Sequence, residues 1–448
     1  MGDPSSSAPG NHDSLLFRAI RVQQGELPGL VGGFLYYFFL LCSYYILRPV
    51  RDEMGVRGGV ENMQWLFTAT FVAMLVAAPL FAALATRFRR TRLIPTAYGI
   101  FILCILGFWL WLRSDVAMAW GARTFFVWLS VFNLFVVSVF WSFMADLFDD
   151  AQAARLFGAI AAGGSAGAIL GPGLTGVLAQ QLAPETLLPL AAGILALTLP
   201  CMGLLNRWSY RRADGGRQAR GEEGPLGGTV LEGIQAIATS RYLLGICAFI
   251  WLYTTLATFL YFTQADIVEQ AFADSGDRTS VFAAIDFTTN ALTVGLQLFV
   301  TARLVQRLGL GRALALVPLL VAAGFLMLAM LPGLLVLAAF QVIRRAGNYA
   351  IARPGREMLF TVVPRMQKYK SKNAIDTVVY RGGDAIAGWV YAGLAAMGLG
   401  ITGISLVAVP LALVWAAIGY GLGLSRNARA QQRREEVDHE QAAYAHPP

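Results

Sequence analysis

Apolar residues fill much of this chain in blocks of about twenty between residues 29 and 424, and that pattern leaves few folds open. A helix of that length crosses the roughly 30 Å hydrocarbon core of a bilayer, and a helix pairs all of its backbone polar groups within itself. Twelve blocks predict spans near 29–47, 64–86, 94–112, 124–145, 159–182, 187–206, 243–263, 281–302, 313–331, 334–352, 377–397 and 401–424. Of all residues 56% are hydrophobic and 14% charged, against about 25% charged in soluble domains. A soluble enzyme, a disordered chain and a coiled coil are excluded. The expected fold class is an all-α polytopic membrane protein.

Loop charges set the expected topology. One set of loops holds Arg87, Arg89, Arg90 and Arg92, then Arg207, Arg211, Arg212, Arg217 and Arg220, then Arg303, Arg307 and Arg312, then the stretch from Arg353 to Lys372. The opposite set holds only Arg57, Arg113, Arg123 and Arg278. Basic loops face the cytoplasm. Both termini are therefore expected there, with the chain in the cell (inner) membrane among membrane lipids. The net charge of +8 becomes a matter of topology, and no nucleic-acid partner is expected. No cleavable leader is read, because residues 1–13 are polar and the first apolar block is too long for one.

The polar segment 207–236 divides the spans six and six. The expected organisation is a cytoplasmic segment 1–28, a six-helix half 29–206, a central loop 207–242, a second half 243–424 and a cytoplasmic tail 425–448. Within the first segment, residues 14–25 read as a short interfacial helix capped by Ser14. Two parallel six-span repeats about a polar loop resemble the major facilitator architecture. One chain then forms the whole pathway, and a monomer is the expectation.

Cys42, Cys104, Cys201 and Cys247 lie inside apolar blocks and read as small buried side chains, while His12, His439 and His446 lie in the tails. No metal site, disulfide or cofactor is expected. No nucleophile accompanied by a histidine base is in view, and the chain is not expected to be an enzyme.

Charge inside the membrane is the stronger signal, because it costs about 2.5–3.5 kcal/mol per residue near the bilayer centre on insertion scales. Three clusters incur it. The first closes span 1: Tyr44, Tyr45, Ile46, Leu47, Arg48, Pro49, Val50, Arg51, Asp52 and Glu53, where Pro49 is expected to break or kink the helix. The plain alternative is a helix end reaching the outer interface with internal salt bridges. The second is in span 10, with Gln341, Arg344, Arg345, Asn348 and Tyr349 in a helix read as continuous to Ala352. Its plain alternative is a structural ion pair with Asp286 or Asp384. The third is the loop before span 11, with Arg356, Glu357 and Met358, then Lys368, Lys370 and Lys372, then Asp376, followed by Arg381 and Asp384. These are the chain's only three lysines among 35 basic residues, although arginine would satisfy topology equally well.

Weaker signals surround these. Gly163, Gly164, Gly167, Gly171, Gly173 and Gly176 stud span 5; no strand precedes them and no Lys-Ser/Thr follows, so they read as close helix packing and not as a phosphate loop. Asp146, Asp149, Asp150 and Arg155 at the end of span 4 read as a gate or as helix-end salt bridges. Asp286 and Asn290 lie one turn apart in span 8 and are expected to face a cavity.

A midplane cavity lined by guanidinium and ammonium groups selects anions rich in oxygen, such as phosphates. The candidate binding residues are Arg48, Arg51, Arg344, Arg345, Lys372 and Arg381. Their candidate charge partners and gates are Asp52, Glu53, Asp146, Asp286, Glu357, Asp376 and Asp384. Tyr44, Tyr45 or Tyr349 would stack on a ring. The expected function is secondary transport of a small polyanionic metabolite.

The same stretches resemble the ATP/ADP translocase family. Leu47-Arg48-Pro49-Val50-Arg51-Asp52 is similar to that family's Leu-Arg-x-x-Lys-Asp, with Arg51 in place of the lysine and Pro49 inside the motif. Glu357-Met358, the three lysines and Ala374-Ile375-Asp376-Thr377-Val378-Val379 are similar to the family's stretch before span 11. Phe140-Trp141 through Arg155-Leu156-Phe157-Gly158 resembles its span 4–5 region. Gly167 to Gly176 looks like an antiporter motif of major facilitators. The resemblance implies nucleotide exchange by alternating access, with Arg51, Glu357 and Lys372 at functional positions. The alternative is a major facilitator for another phosphorylated or organic anion, proton-coupled through Asp286 or Glu357.

Overall fold

The computed structural model describes residues 23, 25–87, 90–114, 116–213, 235 and 237–445. The expected interfacial helix and most of the central loop lie outside them. Among these residues ten helices are long and apolar enough to cross a membrane. They supply spans 1 to 9 and 12. Span 1 is Leu27–Arg57, span 2 Met63–Arg87, span 3 Arg90–Arg113, span 4 Met118–Leu147 and span 5 Asp150–Leu178. Span 6 comprises Leu187–Ala196 and Thr198–Ala213, span 7 is Arg241–Ala271, span 8 Ser275–Phe299, and span 9 lies in Thr301–Met330, bent where Gly309 takes φ +75°. Span 12 opens Ile401–Ala445, so the segment read as a tail continues the last helix.

Spans 10 and 11 are the two that differ. Span 10 is α-helical over Leu334–Gly347, π-helical over Asn348–Ala352 and α-helical again over Arg353–Leu359. The expected continuous helix to Ala352 is therefore interrupted, and the sequence gives the reason. Pro354 has no N–H for the carbonyl four residues back, and Arg353 N–H reaches five residues back to Asn348. The freed carbonyls find partners nearby: Gln297 donates to Tyr349 O at 3.4 Å and Thr301 to Ala350 O at 2.9 Å. Span 11 begins the same way. After Arg365–Ala374 the chain is π-helical over Ile375–Val379, Tyr380 N–H reaching back to Ile375 O, then α-helical over Tyr380–Ala396.

The expected break at Pro49 does not occur. Span 1 runs through it to Arg57. Pro49 is buried among neighbouring helices, and the Thr175 hydroxyl of span 5 donates to the adjacent carbonyl of Ile46 at 3.3 Å. Enclosure of this kind is what lets proline persist inside membrane helices.

Two apolar cores form. One joins Leu30 through Leu205, the other Ile237 through Leu422 with Val56 and Met63. Within the first, spans 1 and 5 touch backbone to backbone. A methyl group at Gly163, Gly167 or Gly171 would lie under 3.0 Å from the carbonyl oxygens of Phe34, Phe38 and Cys42 respectively. The glycines of span 5 are thus a packing seam, and no phosphate loop is formed.

The halves meet chiefly on the side opposite the termini. Arg278 of span 8 grips the fully buried Glu53 of span 1 at 2.7 and 2.8 Å, and Arg57 bonds Glu53 and the Ser275 hydroxyl. Tyr261 donates to Asp52 at 2.9 Å, and Trp389 of span 11 to Thr68 of span 2 at 3.0 Å.

Candidate functional site

Between the halves lies a cavity of two adjoining lobes. The larger, about 880 Å³, is lined by spans 1, 4, 5, 8, 10 and 11; the smaller, about 590 Å³, by spans 2, 4, 7, 10, 11 and 12. Asn133, Ser138, Tyr349, Arg353 and Arg381 border both. Odd spans run away from the terminal side and even spans return to it. The lining residues Trp141, Arg356, Glu357 and Asp376 therefore carry the cavity toward the terminal face, while the Glu53 cluster seals the other.

Five arginines line the lobes, Arg48, Arg51, Arg353, Arg356 and Arg381, against two carboxylates, Glu357 and Asp376. Arg48 lies over the Tyr45 ring at 5.7 Å and reaches Asp286 at 3.5 Å. Arg51 pairs with Asp52 at 2.6 Å and lies over Phe126 at 5.0 Å. Arg381 lies over Tyr380 at 5.4 Å, with Asp384 at 3.6 Å; Asp384 also accepts from Thr258 at 3.4 Å. Arg353 has no ion pair or hydrogen bond among the described residues.

Arg344 and Arg345 do not line the cavity. Arg345 lies 2.6 Å from Asp286, whose carboxylate is 1% exposed and receives Arg48 from the other side. Arg345–Asp286 is the structural ion pair that the sequence left open as an alternative; it lies within the second half, and Arg48 of span 1 joins it from the first. Arg344 donates to Gln341, which in turn bonds Gln264, so its partner is an amide and not a carboxylate. Asp286 stands behind the wall. Asn290, one turn on, lines the larger lobe and donates to Ala168 O at 2.7 Å.

At the terminal mouth Lys372 pairs with Glu357 at 2.6 Å, and Arg356 reaches Glu357 and Asp376 at 3.3 and 3.4 Å. These pairs join the end of span 10 to the start of span 11. Asp146 is exposed at the end of span 4. Tyr44 and Tyr45 meet edge to face at 5.1 Å beside Arg48 in the larger lobe, and Tyr349 stands between the two lobes.

Sequence reasoning passed over Arg353 and Asn133. Arg353 was counted as loop charge, and the π turn before it is what carries its helix on into the cavity wall. Asn133 is a lone amide in an aromatic span; the intolerance of lipid for unpaired polar groups was the available signal.

Similar proteins agree with this architecture. No curated protein sequence matches the chain. Solved structures match its fold. The nucleoside transporter NupG is 14% identical with a TM-score of 0.61, covering 91% of this chain and 99% of that one. A POT family transporter in complex with 5-aminolevulinic acid is 13% identical with a TM-score of 0.62, covering 89% and 96%. A D-xylose-proton symporter is 12% identical with a TM-score of 0.58, covering 88% and 97%. At these identities the likeness is one of fold alone. A family model described as Major Facilitator Superfamily matches residues 29–343, well over half of the chain, and the chain belongs to that superfamily.

Proposed function

We propose that this major facilitator moves a small polyanion, of nucleotide type, by exchange through alternating access. The observation that carries the reading is the excess of guanidinium over carboxylate on the cavity wall, where Arg353 makes no ion pair or hydrogen bond among the described residues. Cations that face a cavity within a membrane protein mark a substrate path, and a phosphate meets guanidinium through paired hydrogen bonds. Arg48, Arg51, Arg353 and Arg381 hold the anion, while Arg345 and Asp286 orient Arg48. Glu357 and Asp376 occupy Arg356 and Lys372 between cargoes. The motifs shared with nucleotide translocases support the cargo class, and the span 5 motif supports exchange. We place the chain in the inner membrane as a monomer with both termini cytoplasmic, as the loop charges support.

Counterflow tests the reading. Purified protein in liposomes preloaded with ADP is offered labelled ATP. Uptake that requires internal ADP is expected, and Arg353→Gln is expected to abolish it in protein that still unfolds cooperatively. Uptake driven by a pH gradient into empty vesicles would replace exchange with proton coupling. A folded protein that takes up no phosphorylated compound would overturn the anion assignment.

A further inference from the structure

The two lobes are chemically unlike, and the smaller one is built for something other than phosphate. One side of it is a continuous aromatic wall. Phe249 and Trp415 lie 5.4 Å apart by ring centroid, Trp415 and Tyr253 5.8 Å, Tyr253 and Tyr380 6.0 Å. Polar groups without partners punctuate that wall. Asn348 Nδ2 donates to the Tyr253 hydroxyl at 2.9 Å, which leaves the Asn348 carbonyl and the Tyr253 hydroxyl proton uncommitted. Trp415 is 1% exposed and its Nε1–H is buried without an acceptor. Asn133, facing from span 4, has no hydrogen bond among the described residues. Its arginines stand away from that wall: Arg353 and Arg381 at the border with the larger lobe, and Arg356 at the terminal mouth, engaged with Glu357 and Asp376.

From this geometry, and resting on the polyanion reading above, we infer that the smaller lobe binds the planar ring of the cargo. Tyr253 and Tyr380 hold its face. Asn133, Asn348 and the Tyr253 hydroxyl read its edge. Arg353 and Arg381 take the first anionic group where the lobes join. An alkyl chain would fill the aromatic wall but strand these polar groups, each an unpaired buried donor or acceptor. A second cluster of phosphates would find Arg353 and Arg381 at the border and Arg356 already held by Glu357 and Asp376, with no arginine along the Phe249–Trp415–Tyr253 wall. A flat ring with hydrogen-bonding edges satisfies both the wall and the amides. The cargo class is therefore an anion that carries such a ring, and Asn133 and Asn348 set its specificity.

The test is equilibrium binding to the purified full-length protein. The probes are tripolyphosphate and the four common nucleoside triphosphates. Tripolyphosphate carries at least as much charge, so charge alone would favour it. At least one nucleoside triphosphate is expected to bind about tenfold tighter than tripolyphosphate. Asn133→Ala removes an amide that makes no hydrogen bond among the described residues, in a helix that tolerates alanine, and is expected to cut that advantage roughly three- to tenfold. Ala78→Phe fills the lobe from span 2 and is expected to abolish the advantage. Both variants are expected to bind tripolyphosphate as the wild type does, which also reports that they are folded. If no nucleoside triphosphate exceeds tripolyphosphate, or if the advantage survives either variant, the ring assignment is overturned while the polyanion site stands. If neither tripolyphosphate nor any nucleoside triphosphate binds, the polyanion reading falls and this assignment falls with it.

Discussion

Spans 4 and 5 of the first half and spans 10 and 11 of the second hold equivalent places in the repeat, yet they are made differently. Spans 4 and 5 are unbroken α-helices whose charges, Arg123, Asp146, Asp150 and Arg155, stay near their ends. Span 5 presses its glycines against the carbonyls of span 1. Spans 10 and 11 each contain a π-helical turn and carry Arg344, Arg345, Arg381 and Asp384 within the bilayer. One half is a tight frame. The other concentrates charge where its backbone has left the regular hydrogen-bond ladder. Extra residues in a helical turn are costly and tend to occur where function needs them.

Four measurements would break or sharpen that contrast. The largest effect is expected from Gly167→Leu, which drives a side chain into the Phe38 carbonyl. Assembly is expected to fail, with a loss above about 3 kcal/mol by detergent unfolding. The same change at Gly393, which faces open space in span 11, is expected to leave unfolding unaltered. A tolerated Gly167→Leu would show that the frame is not tight.

Asp286→Asn comes next. It leaves Arg48 and Arg345 buried without a carboxylate, and breaking a buried pair in this way costs about 3–5 kcal/mol. Adding Arg345→Met is expected to recover part of the loss, because one of the stranded charges is then gone. No recovery would mean that Asp286 acts through something other than these arginines.

Smaller effects attach to the π turn itself. Gln297→Leu and Thr301→Val each remove a donor to a carbonyl freed by that turn, at about 1 kcal/mol apiece. Hydrogen exchange over residues 348–352 is expected to quicken while span 4 stays protected. Equal quickening in span 4 would erase the difference between the halves.

The last measurement tests the frame from its edge. Glu26 caps the start of span 1 and is gripped by Arg155 of span 5 at 2.8 and 2.9 Å, which lowers its carboxyl to about 2. A carboxyl lowered in the folded state stabilises fully above its unfolded value, about 4.3, and loses that contribution as pH falls toward 2. Glu26→Gln is expected to flatten the unfolding midpoint across that window, by roughly 1–2 kcal/mol. A variant with the wild-type slope would place the acid sensitivity elsewhere.

Much of the fold was legible because the bilayer imposes one rule everywhere. Twenty apolar residues and a basic loop are read the same way in any sequence, and ten of the twelve expected blocks are long apolar helices here. The site was harder to read, for a physical reason. Faces were assigned on a 3.6-residue period, and a π turn rotates every residue beyond it. Arg344 and Arg345, before that turn, pack behind the wall with Gln341 and Asp286, while Arg353, beyond it and read as loop, lines both lobes. Pro49 misled in the opposite direction. A rule drawn from soluble helices forecasts a break or a kink, and the helix instead continues through a proline buried among its neighbours.

A wall with five guanidinium groups and two carboxylates is also an electrode. One elementary charge crossing the full membrane field exchanges about 2.3 kcal/mol per 100 mV. An empty cavity that changes the side to which it opens shifts its surplus positive charge within that field; a cavity holding a polyanion shifts little. In the proposed exchanger the voltage across the membrane therefore distinguishes a loaded turnover from an empty one, and bears most heavily on the step that carries nothing.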